Sequence, residues 1–125
     1  MSSRETWKAE ERHVARRMGG ERVPVTGRGR GDAPDVRHPL FSVELKSGRN
    51  ALSAATILLG LEQAAASAAK DGKEPIVVCC QKSGRGRPVR RVVCWEFESF
   101  CEYFGLTPAG PEPTCPGGRD GESGL

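Results

Sequence analysis

The stretch Pro75 to Gln81, PIVVCCQ, is apolar almost without a break. A strand with one wet face alternates apolar and polar residues. An unbroken run fits a strand covered on both sides, with other elements above and below it. Just upstream, residues 52–70 (LSAATILLGLEQAAASAAK) read as an alanine-rich helix anchored by Ile57, Leu58 and Leu61 and closed by Gly72. Before that helix, residues 40–46 (LFSVELK) alternate. Phe41, Val43 and Leu45 face one side, and Ser42, Glu44 and Lys46 face the other. A strand, a helix and a second strand in that order imply two parallel neighbours joined by a crossover. The fold class is therefore α/β.

The remaining elements extend this unit. Residues 6–18 (TWKAEERHVARRM) predict a helix that stops at Gly19-Gly20, with Trp7, Val14, Ala15 and Met18 on its apolar stripe. Residues 21–26 and 34–37 read as short strands, separated by a Gly-rich loop from Gly27 to Ala33, and His38-Pro39 reads as a turn. A hairpin loop at Lys82 to Pro88 leads to a strand over 89–95, then a short helix over 98–104. The expected order is αβββαββα, a single mixed β-sheet flanked by helices. Residues 1–106 form one folded domain, and residues 107–125 form a Gly/Pro-rich acidic tail expected to be disordered.

Charge and cysteine usage narrow the partners and the setting. The formal net charge is +3, and residues 1–50 hold 11 Lys/Arg against 7 Asp/Glu. A basic body suits a polyanionic partner. The five cysteines form no C-x-x-C pair, which argues against a disulfide framework or a zinc site and for a reducing, cytoplasmic setting. No signal-like leader and no run of membrane-spanning length is visible, so no membrane partner is expected.

Two features carry chemistry. Glu44 and Lys46 project from one face of a strand, and Asp35 begins the strand before it. If those strands pair through the His38-Pro39 turn, Asp35 comes near Glu44. Converging carboxylates repel unless a cation lies between them, and Mg²⁺ takes such oxygen donors. Lys46 could then orient or deprotonate the attacking water, or offset charge on a phosphate. Glu11 sits within the apolar stripe of the first helix, where an ionised group needs a partner; a metal or Lys46 could supply one. The second feature is arginine among glycines: Arg28 and Arg30 in one loop, Arg85 and Arg87 in the other. Glycine admits a phosphate close to the backbone and arginine grips it bidentately. No nucleotide-binding P-loop or dinucleotide fingerprint is present.

Pro34-Asp35 followed by Glu44-Leu45-Lys46 resembles the signature of the PD-(D/E)XK nuclease superfamily, the restriction-endonuclease-like fold. The layout from Trp7 to about Phe104 is most similar to the small archaeal and phage Holliday junction resolvases. The resemblance implies a Mg²⁺-dependent DNA endonuclease acting on branched DNA as a homodimer, with Mn²⁺ as a substitute. It implies Asp35, Glu44 and Glu11 as metal ligands, with Glu10 as the rival to Glu11, and Lys46 as the catalytic lysine. Thr26 would stand for the loop hydroxyl, where a serine is more usual, and Gln63 for a helical glutamine. Arg28, Arg30, Arg85 and Arg87 would hold DNA. Two alternatives stay open: another small nuclease of this superfamily, cutting single strands or nicking duplex, and a non-catalytic DNA-binding module on the same fold.

Overall fold

The computed structural model describes residues 3–24 and 33–108, and side chains from residue 7 onward within the first segment. Thr26, Arg28, Arg30 and residues 109–125 of the expected tail lie outside the described residues. The elements in chain order are α1 (Ser3–Met18), β1 (Glu21–Arg22), β2 (Val36–Arg37), β3 (Phe41–Gly48), α2 (Ala54–Asp71), β4 (Glu74–Gln81), β5 (Arg90–Cys94) and α3 (Phe97–Tyr103).

The five strands form one mixed sheet in the order β1-β2-β3-β4-β5. β1, β2 and β3 pair antiparallel in succession, β3 and β4 are parallel, and β5 returns antiparallel to β4. The parallel pair is the one joined through α2, as a crossover requires. β4 is buried on both faces from Ile76 to Cys80. The first strands are shorter than the sequence pattern suggests, two residues each.

Two apolar clusters lie on opposite faces of this sheet. On one, Val14 and Ala15 of α1 pack on Val36, Val43, Leu45, Ile76, Val78 and Cys80. On the other, Ala64 of α2 and Ala51 pack on Val77 and Cys79, with Ile57 and Leu61 at the margin. Leu58, expected as an anchor, is instead exposed. The buried positions of α2 are Gly60, Ala64, Ser67 and Ala68, so small residues form its sheet-facing stripe and the helix lies close against the strands. Ser53 caps its start by accepting from the Thr56 amide, and Gly72 ends it in the left-handed region at φ 69°. α3 buries no residue fully. It leans on the sheet through aromatic contacts, with Tyr103 and Phe100 against Trp95, which meets Phe41 edge-on at 5.5 Å.

Candidate active site on the Glu44-Leu45-Lys46 strand

β3 alternates as its sequence implies. Val43 and Leu45 enter the α1-side cluster, which leaves Ser42, Glu44 and Lys46 on the α2 side. Val36 pairs with Val43, and continuing that register by one residue brings Asp35 level with Glu44. Backbone bonds hold Asp35 between two strands: its amide donates to the Val43 carbonyl and its carbonyl accepts from the Val23 amide, each at 2.9 Å. Its carboxylate Oδ2 accepts from the Leu45 amide at 2.7 Å. The Asp35 carboxyl is thus fastened to the residue between Glu44 and Lys46. It is 4% exposed.

Lys46 runs beneath α2. A Cβ added at Gly60 would lie 3.0 and 3.1 Å from the Val77 methyls and 3.4 Å from Lys46 Cε, so the glycine leaves a notch that the lysine stem crosses. Beyond the notch, Lys46 Nζ donates to Gln63 Oε1 at 2.5 Å and lies 3.9 Å from Glu44 Oε2. Both charged side chains are mostly covered, Glu44 at 14% and Lys46 at 20% exposed. Asp35, Glu44, Lys46 and Gln63 therefore meet around one strand. Ser42, on the same face, carries the one buried side-chain polar atom without a hydrogen-bond partner among the described residues.

The first helix contributes differently. Glu11 is fully buried, and the Arg22 guanidinium donates to its Oε1 at 2.7 Å. Arg22, also 6.0 Å from the Trp7 ring centre, supplies the partner that a buried carboxylate requires. Glu10, at the edge of the stripe, is nearly buried too. It bonds Arg91 at 2.9 Å and Lys82 at 3.3 Å, because β5 and the start of its hairpin extend the sheet past the helix. Burial works to raise the Glu10 pKa, but the hydrogen bonds and charges of Arg91 and Lys82 outweigh it and hold the carboxyl below its ordinary value. Two thiols are pushed the other way, Cys79 to about 12 by burial and its neighbour Cys94, and Cys80 to about 11 by burial and Glu10. Both stay protonated and unreactive at neutral pH.

Among the described residues, no three His, Cys, Asp or Glu side chains converge in a way that could hold a metal ion. Asp35 and Glu44 are hard oxygen donors of the sort Mg²⁺ accepts in ones or twos, the rest of its shell being water and phosphate. In chemistry, a two-carboxylate seat fits. Arg85 and Arg87 are exposed in the β4–β5 hairpin. The Lys82 amide donates to the Gly48 carbonyl at 2.9 Å, so that hairpin departs from the end of β3 just beyond Lys46. Sequence reading missed Arg22, Gly60 and Arg91; it placed Ser42 on the right face and Lys82 in the basic hairpin, but not the unpartnered hydroxyl of the first or the bond of the second to Glu10. Gly60 had a signal, a glycine inside an alanine-rich helix, which costs stability unless something packs there.

No family model, curated protein or solved structure matches the chain. No helix among the described residues is long and apolar enough to cross a membrane.

Proposed function

We propose that the protein is a Mg²⁺-dependent DNA endonuclease of the PD-(D/E)XK kind, hydrolysing phosphodiester bonds in branched DNA such as four-way junctions. The observation that carries this reading is the bond from the Leu45 amide to Asp35 Oδ2 at 2.7 Å, which ties the aspartate to the centre of the Glu-x-Lys strand. Asp35 and Glu44 would hold the cation, which when bound supplies Lewis-acid stabilisation of charge on the phosphate. Lys46, steadied by Gln63 and close to Glu44, brings a positive charge to the phosphoryl oxygens or orients the attacking water. Arg85 and Arg87 grip phosphates beside the site, and Thr26, Arg28 and Arg30 keep the roles the resemblance gives them. Glu11 acts through Arg22, fixing β1 beside Asp35. Symmetric cutting of two strands calls for a two-fold dimer in the cytoplasm of a prokaryote or of a phage-infected cell.

The test compares wild type, Asp35→Asn and Lys46→Met on a four-way junction and on linear duplex of the same sequence, with Mg²⁺ and with a chelator. Wild type should cut the junction only with the metal. The variants should lose roughly a thousandfold in rate, the order expected for a lost electrostatic group, while binding within a few-fold. A variant that cuts at the normal rate removes that residue from the site. A wild type inert with both Mg²⁺ and Mn²⁺ removes the enzyme. Sedimentation should give twice the 13.5 kDa chain mass.

A further inference from the structure

Among the described side chains of α1, the charges are sorted by side. From Trp7 to Met18 its two carboxylates, Glu10 and Glu11, are turned inward and neutralised by Arg91, Lys82 and Arg22. Its cations Lys8, Arg12, Arg16 and Arg17 are off the buried stripe, the three arginines exposed and Lys8 partly so. No ion pair engages any of the four among the described residues. Lys8, Arg12 and Arg16 stand at i, i+4 and i+8, so like charges are stacked along the helix, an arrangement that destabilises it. A surface helix ordinarily relieves this by interleaving glutamates. Here Glu10 and Glu11 have been withdrawn to the sheet, and from Lys8 to Arg16 the outer face is left cationic over about 12 Å of helix.

We infer that this face of α1 is a docking surface for the phosphate backbone of duplex nucleic acid, separate from the Lys46 site. α1 packs on the Val43 and Leu45 side of β3, whereas Lys46 lies on the α2 side. The surface therefore looks away from the site, across the sheet. A strand of duplex carries one charge per about 3.4 Å of axis, so the row of cations spans three or four phosphates. Between the cations α1 presents only Ala9 and His13, with no large apolar side chain among them and only the exposed Val93 of β5 at the margin by Arg17, which favours a nucleic-acid backbone over a lipid surface. The inference stands on α1 alone and does not need Lys46 to be catalytic.

The test is fluorescence anisotropy of a labelled mixed-sequence DNA duplex across a salt series. It uses wild type, the triple variant Arg12→Gln/Arg16→Gln/Arg17→Gln, and Lys46→Met. Each lost phosphate contact should flatten the log–log salt slope by about 0.9, so the triple variant should lose between about 2 and 3. Lys46→Met should lose no more than about 1. Thermal melts should show the triple variant folded, since the three side chains are exposed. An unchanged slope in a folded triple variant overturns the inference, as does a wild type that binds no duplex. A triple variant that loses binding only to phosphatidylserine vesicles overturns it in favour of a membrane. Cleavage by Lys46→Met is read separately, so failure of one idea leaves the other standing.

Discussion

A buried carboxylate is a demand for a counter-charge, and Glu11 meets that demand with Arg22 at 2.7 Å. Removing one member of such a pair leaves the other uncompensated. Glu11→Gln should therefore destabilise the fold by about 2–3 kcal/mol, less than for a fully buried pair because the Arg22 side chain, 19% exposed, can turn to solvent. Urea unfolding measures this, and the double variant Glu11→Gln/Arg22→Met should recover part of the loss. A Glu11→Gln protein that melts like wild type but cannot cut DNA would return Glu11 to the metal. Ser42 poses the opposite case. Its hydroxyl is buried without a partner, so Ser42→Ala should be neutral or stabilise by up to about 1 kcal/mol, with an unchanged denaturant slope.

The elements that sequence periodicity recovered best were β3, β4 and α2. Alternation in LFSVELK, the unbroken PIVVCCQ run and Gly72 are local signals. The sides of β3 followed directly, and with them the face shared by Glu44 and Lys46. The sheet-facing stripe of α2 did not follow. Periodicity favours large apolar residues, yet Leu58 is exposed and Gly60, Ala64, Ser67 and Ala68 face the sheet. What selected the small residues is the bulk below them, Val77 and the stem of Lys46, which belong to other elements. Likewise the partners of Glu10 and Glu11 come from β1, β5 and the hairpin, at distances along the chain that no local pattern encodes. Gly60→Ala tests the notch. Alanine favours the helix by about 1 kcal/mol, but its methyl must displace Val77 or Lys46. Cleavage should drop at least tenfold with little change in melting temperature; full activity would mean that the notch does not position the lysine.

Across the whole molecule, Glu10 fastens three elements, since its carboxylate on α1 holds Lys82 at the hairpin and Arg91 on β5. Its pKa is lowered in the fold from an ordinary 4.5. That stabilisation is fully present above the ordinary value and is lost as pH falls through the lowered one. Glu10→Gln should melt about 5 °C below wild type at pH 7, corresponding to roughly 1 kcal/mol. The two curves should converge as pH falls through that lowered value, once the wild-type carboxyl is protonated as well. Parallel curves at every pH would mean that the charge of Glu10 contributes nothing. The crossover through α2 has a further consequence, for the order in which the protein comes into being. Asp35, Glu44 and Lys46 leave the ribosome early, but Lys46 finds its seat only when α2 covers it and Val77 of β4 forms the floor. Pairing across so long a stretch is a late event in folding. A growing or truncated chain that ends before β4 carries Asp35, Glu44 and Lys46 but neither the floor nor the cover that seats the lysine, so the centre proposed here is complete only once β4 has joined β3.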